Sequence, residues 1–179
     1  MRSLHNIFIF DSIHEGEILI SRWYVLACTP HKERVIYHLL QDRGFEVSYP
    51  YLILRTKSLN TLRIEPYFPG YIFVKVDLSQ IALSTFQWMP MTSGLINIAG
   101  KPAYVPESIV RAIHRSLKKI NSRVLGMPDD MELEPVDISV GLDGSLPGNG
   151  FICNPGSPGS ERSQTLMQLL QELTLTPEV

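Results

Sequence analysis

The sequence predicts an α+β sandwich, a mixed, mainly antiparallel four-stranded sheet flanked by helices, and three observations carry that prediction. Apolar runs of strand length alternate with segments of helical period in the order strand, helix, strand, strand, helix, strand, helix. The 179 residues are 44% hydrophobic, enough for one core and a small appendage. The order is concentrated before Arg123, and so is the positive charge. Fifteen of the 16 lysines and arginines lie at or before that residue against nine acidic residues, so residues 1–123 carry +6. Residues 124–179 hold one basic and nine acidic residues and carry −8. This asymmetry predicts a basic body suited to nucleic acid and an acidic tail that is docked on it or solvated.

Residues 1–21 show no sustained period and are read as an extension. The apolar run Ile7–Phe10 is too short for a signal-peptide core or a membrane span, so a soluble, cytoplasmic protein is expected. Trp23–Cys28 reads as the first strand. Thr29 can cap the following helix with Pro30 in its first turn; Val35, Ile36, Leu39 and Leu40 then keep helical spacing until Gly44. On the other side of that helix Arg34, His38 and Gln41 share a face, either solvated or a contact surface. Phe45–Leu54 reads as a second strand, and Arg55–Arg63 as a polar loop bending at Asn60.

The third strand lies in YFPGYIFVKVD, Tyr67–Asp77, which packs four aromatic residues into eleven. Its period of two sends Ile72, Val74 and Val76 one way, as core, and Tyr71, Phe73 and Lys75 the other. Tyr67 and Phe68 extend the second set. These rings are either covered by a second core layer or by the tail, or they form an exposed patch for a partner. Further on, Phe86 and Trp88 sit on a short helix ending near Pro90, LINIAG and PAYVP form a fourth strand region turning at Gly100, and a helix runs from Pro106. Ile109, Ala112, Ile113, Leu117 and Ile120 make its apolar stripe, with Arg111, Arg115, Lys118 and Lys119 elsewhere on its surface. Beyond Arg123, residues 127–135 and 141–160 read as linker or loop. Only Ser163–Leu175 has a stripe, formed by Leu166, Met167, Leu169, Leu170 and Leu173, with Ser160 or Ser163 as a cap.

The search for chemistry excludes more than it finds. There is no phosphate-binding glycine loop, metal-ligand spacing or nucleophile elbow, so no enzyme, cofactor or metal is expected. Cys28 and Cys153 make no disulfide framework or zinc pattern, and Cys28 in an apolar strand is an inert core thiol.

Taken together and in order, WYVLACTPHKERVIYHLLQDRGFEVSYP, EPYFPGYIFVKVD and TSGLINIAGKPAYVP resemble the N-terminal (NGN) domain of the NusG-type transcription elongation and antitermination factors. The resemblance spans Trp23 to about Leu117. It implies residues 22–121 as that domain, 122–140 as linker and 141–179 as a degenerate KOW-like or helical tail, in a monomer that touches no membrane. The implied partner is RNA polymerase, gripped at the clamp helices of its largest subunit by Tyr67, Phe68, Pro69, Tyr71 and Phe73. Bridging the DNA cleft would then suppress pausing or termination, generally or at particular operons. The resemblance also places Arg34, His38 and Gln41 towards upstream or non-template DNA, with Arg43, Arg55, Lys57 and Arg63 adding charge for phosphates. A free-standing nucleic-acid-binding module is the alternative.

Two departures from the family pattern stand out. Ser93 occupies a place where family members commonly carry a basic residue, and 136–179 lacks the opening of the usual β-barrel, which leaves a ribosomal-protein contact open. The stripe in Ser163–Leu173 and the tail's charge predict a short helix folded back over the Tyr71 and Phe73 face, as in the autoinhibited RfaH-type factors.

Overall fold

An almost uninterrupted apolar sequence makes β1 (Arg22–Cys28) the natural centre of a sheet, since a strand flanked on both edges and covered on both faces has no polar side to present. In the computed structural model, which describes residues 20–56, 61–126 and 156–175, β1 does occupy that position. The helix after it, α1, runs from Glu33 to Asp42 and not from Pro30. Thr29 instead accepts the Lys32 amide in a turn, and His31 has a left-handed φ of 68°, which reverses the chain before the helix starts.

The expected second strand is two: β2 (Glu46–Ser48) and β3 (Tyr51–Arg55), broken at Pro50. A proline cannot donate to a ladder, so the chain leaves one sheet there and enters another. β3 pairs antiparallel with β4 (Leu62–Pro66), so the segment read as a polar loop contributes a strand that the sequence reading missed. Arg63 and Glu65 of β4 are ion-paired. Asn60 and Lys57 lie outside the described residues, as do 1–19 and 127–155, the latter containing Cys153 and most of the expected linker.

β5 (Tyr71–Val76) pairs with β1 along its length, Tyr24 opposite Val74 and Leu26 opposite Ile72, and with β2 on its other edge. After α2 (Ser84–Gln87), β6 (Thr92–Leu95) joins the far edge of β1. β7 (Asn97–Ile98) and β8 (Lys101–Pro102) form a small hairpin around Gly100, and β9 (Tyr104–Val105) returns to β1. The main sheet therefore has the order β2-β5-β1-β6 with β9 also on β1, and every pairing is antiparallel.

α3 (Glu107–Leu125) starts immediately after Pro106 and ends on Gly126, whose φ of 68° suits a residue without Cβ. Last comes α4 (Gly159–Leu175), a helix and not a half-barrel. No described helix is long and apolar enough to cross a membrane.

Two cores result, one on each face of the sheet. Ile72, Val74 and Val76 meet Ile36, Leu40 and Phe86 in the first. In the second, Phe73, Val25 and Trp23 meet Ile109, Ile113 and Leu117 of α3 together with Leu166, Leu169 and Leu170 of α4. The period of two in β5 thus separates two buried layers.

Candidate polymerase-binding surface and its cover

The turn between β4 and β5 positions the rings. Gly70, with φ of 86°, accepts the Cys28 amide on its carbonyl at 2.8 Å, and its own amide donates to Glu33 Oε1 at 2.7 Å. Glu33 is buried, so this one carboxylate ties the start of α1 to the Pro69–Gly70 turn. The left-handed φ explains the glycine. Cys28 beside it is buried, and burial followed by the Glu33 charge pushes its thiol up to about 12, which keeps it protonated and unreactive.

Of the three surroundings open to these rings, an exposed patch, a second core layer and the tail, the structure shows the two that cover them. Tyr67 is 2% exposed, Phe68 6% and Phe73 0%; only Tyr71 and Pro69 are half-buried. Tyr67 and Phe68 stack edge to face at 4.7 Å, and Phe68 and Phe73 at 6.0 Å. α3 supplies part of the cover, a second core layer, while α4 supplies the rest.

α4 is held by contacts of three kinds. Leu166, Leu169 and Leu170 are buried against the aromatic cluster, each side chain adding about 1.5–3 kcal/mol of burial. Gly159 approaches Pro69 so closely that a Cβ would stand 2.6 Å from its ring. Arg162 then locks the turn: its Nε donates to the Tyr67 carbonyl at 2.7 Å, its guanidinium lies 4.8 Å over the Tyr67 ring, and it donates to the Ser157 carbonyl. Burial lowers the pKa of this guanidinium, and proximity to Tyr67 offsets part of that. Ser163 Oγ donates to the Pro69 carbonyl at 3.1 Å, so this serine fastens the helix to the body where a cap had been expected. Sequence reasoning passed over Arg162, although a lone basic residue in a tail of nine acids was a visible signal.

The residues expected to meet nucleic acid are only partly gathered. Arg34, His38 and Gln41 are exposed on α1, with exposed Arg43 at its end, and Gln41 Nε2 donates to the Tyr37 hydroxyl. Arg55 and Arg63 lie on the β3–β4 hairpin, where Arg55 donates to the Val124 carbonyl and Arg63 pairs with Glu65. Lys57 is outside the described residues.

At the other end of the ring-bearing face, Lys75 pairs with Glu107 at 3.0 Å and Glu46 at 3.4 Å, and Trp23 Nε1 donates to Glu107 at 2.8 Å. The bond to Lys75 is the largest cause holding the Glu107 carboxyl below its usual value. Beside it Ser48 Oγ and His114 Nε2 are 2.6 Å apart, and desolvation lowers the imidazole pKa.

With this arrangement in view, comparison with known proteins is direct. The family described as "Transcription termination factor nusG" matches residues 21–114. The chain belongs to the NusG family. It is similar to the "Transcription termination/antitermination protein NusG" of two Helicobacter pylori strains, 26695 and J99, at 30% identity over 94 residues in each case. Those matches cover 51% of this chain and 52% of the relatives, so the chain spans about half the length of the curated NusG proteins it matches. Among solved structures it is similar to Thermotoga maritima NusG at 19% identity, with a TM-score of 0.39 over 64% of this chain and 63% of that one.

Proposed function

We propose that this NusG-family chain is a transcription elongation and antitermination factor whose α4 keeps its polymerase-binding surface closed until recruitment. Residues 22–121 form the binding domain, 122–140 the linker and 141–179 the tail that carries the cover. Once α4 leaves, Tyr67, Phe68, Pro69, Tyr71 and Phe73 grip the clamp helices of the largest polymerase subunit. Arg34, His38, Gln41 and Arg43 meet upstream or non-template DNA, with Arg55, Lys57 and Arg63 adding charge. Spanning the cleft resists its opening and suppresses pausing or termination by differential contact, without chemistry. The factor acts in the cytoplasm as a monomer. A ribosomal-protein contact is not part of the proposal, because the described tail is a helix and not a barrel.

The observation that supports this reading is the seating of an amphipathic helix on the aromatic surface. A surface that accepts one helix through leucines in an aromatic groove has the shape and chemistry to accept another. A covered surface fits a factor recruited to particular operons, since the closed state taxes binding to every other polymerase.

Capture of purified RNA polymerase tests the proposal. Leu166→Ala with Leu170→Ala weakens the cover and is expected to raise capture at least about tenfold, while Tyr71→Ala, at a half-buried position, abolishes the gain. A leucine variant that keeps the fold of the body and captures no more polymerase than the parent chain would overturn the masking role.

A further inference from the structure

A groove between α3 and β3 shares no lining residue with the covered rings or with the α1 stripe. Tyr49, Tyr51 and Ile53 line it on one side, and Arg115, Lys118 and Leu125 of α3 on the other. None of the residues lining it is acidic. Arg115 and Lys118 are exposed, three residues apart on one helix, and among the described residues neither takes part in a salt bridge. The walls are fixed to each other by Asn121, whose amide donates to the Tyr51 carbonyl at 3.0 Å and accepts the Ile53 amide at 2.8 Å.

The aromatic side continues beyond the groove. Tyr51 stands 5.9 Å from Tyr49, Tyr49 stands 6.0 Å from Tyr37, and Tyr37 stands 5.2 Å from His38. This row of rings joins the groove to the α1 stripe, and Tyr51 at its end is 39% exposed. Such a lining discriminates among polyanions. An acidic peptide would use the two cations and leave the rings unused; a duplex would keep its bases stacked away from them. A single strand uses both, placing phosphates on the cations and a base on an aromatic face.

We propose that the groove between α3 and β3 binds single-stranded RNA, with Arg115 and Lys118 holding phosphates and Tyr51 stacking a base. The choice of RNA over DNA rests on the transcription reading, because the transcript is the strand that a working polymerase releases unpaired; the preference for a single strand rests on the groove alone.

Fluorescence anisotropy of the full chain with a labelled oligouridylate of about twelve nucleotides, titrated at salt from roughly 50 to 200 mM, tests it. Arg115→Ala with Lys118→Ala is expected to weaken binding at least about tenfold at low salt, and to reduce the slope of log affinity against log salt by about 1.4. Tyr51→Ala weakens it about fivefold or more, and Tyr51→Phe preserves it. Both basic side chains are exposed, so the double variant should melt like the parent by circular dichroism. Binding of the double variant equal to that of the parent overturns the proposal. So does tighter binding of a duplex, an oligothymidylate or polyglutamate than of the RNA. Polymerase capture by the double variant stays at the parental level; RNA binding without any polymerase capture in the uncovered variant would sink the polymerase reading and leave the groove standing.

Discussion

On one face of the main sheet Ile72, Val74 and Val76 meet Ile36 and Leu40 of α1, a helix that follows β1 directly after residues 29–32. On the other, Phe73 meets α3 and also α4, which follows α3 in the chain after residues 126–158. The first cover is stitched locally, with Glu33 bonded to the Gly70 amide. α4 is bonded to the ring-bearing turn through side chains, Arg162 to Tyr67 and Ser163 to Pro69. Undocking α4 would leave the Tyr67 and Pro69 carbonyls without these donors, whereas displacing α1 would leave the Gly70 amide without Glu33 and open the core around Ile36 and Leu40. On the proposed masking, equal burial hides unequal permanence: one face is closed as part of the fold, the other by a separable element.

The sharpest way to break this contrast is to truncate one fully buried leucine on each side. Leu40→Ala, on α1, is expected to lower global stability by about 2–5 kcal/mol in urea unfolding. Leu170→Ala, equally buried, should spend its effect on the docking of α4, seen as faster amide exchange in α4 with the unfolding midpoint of the body nearly unchanged. Equal shifts in global stability would make α4 a permanent part of the core.

A smaller effect is expected from Arg162→Ala, which leaves the Tyr67 carbonyl without its charged donor. The loss is about 1.5–3 kcal/mol, or roughly tenfold or more in the open fraction of α4, read by the same exchange experiment. Arg162→Lys should recover only part of it, since a lysine cannot donate in a fork and lie flat on the ring.

The smallest effect concerns pH and belongs to the permanent part of the ring-bearing face. Folding lowers the His114 pKa from its ordinary 6.5 by desolvation, so the unfolded chain takes up the proton first. The associated stability is complete above about pH 6.5 and declines as the pH falls from there towards the lower folded value. Urea midpoints at pH above and below that value should separate for the parent and converge for His114→Gln. An unchanged separation in the variant would assign the pH dependence to other groups.

Much of the fold was legible in the residues. The alternation of Ile72, Val74 and Val76 with Tyr71, Phe73 and Lys75 announced a strand with two different sides, and the leucine stripe of 166–173 announced a helix. The breaks were less legible. Pro50 splitting one apolar run between two sheets, and β4 emerging from a polar segment, depend on which edges find partners, a long-range matter. The site was legible as a set of rings with three possible surroundings, but not which of them holds, because a buried ring and a binding ring have the same composition. Tyr49 and Tyr51 escaped notice as part of a groove since only the approach of α3, more than sixty positions later, supplies the cations opposite them.

By itself, then, the chain determined most of the elements and the two-sided strands through its apolar spacing, and the family resemblance through its ordered motifs. Tertiary structure alone decided which side chains hold α4 there, with Leu166, Leu169 and Leu170 packed among the rings and Arg162 reaching the Tyr67 carbonyl. The physical reason is that periodicity records which side of an element avoids water, while the identity of what replaces the water is chosen by competition among all the apolar faces the chain brings together.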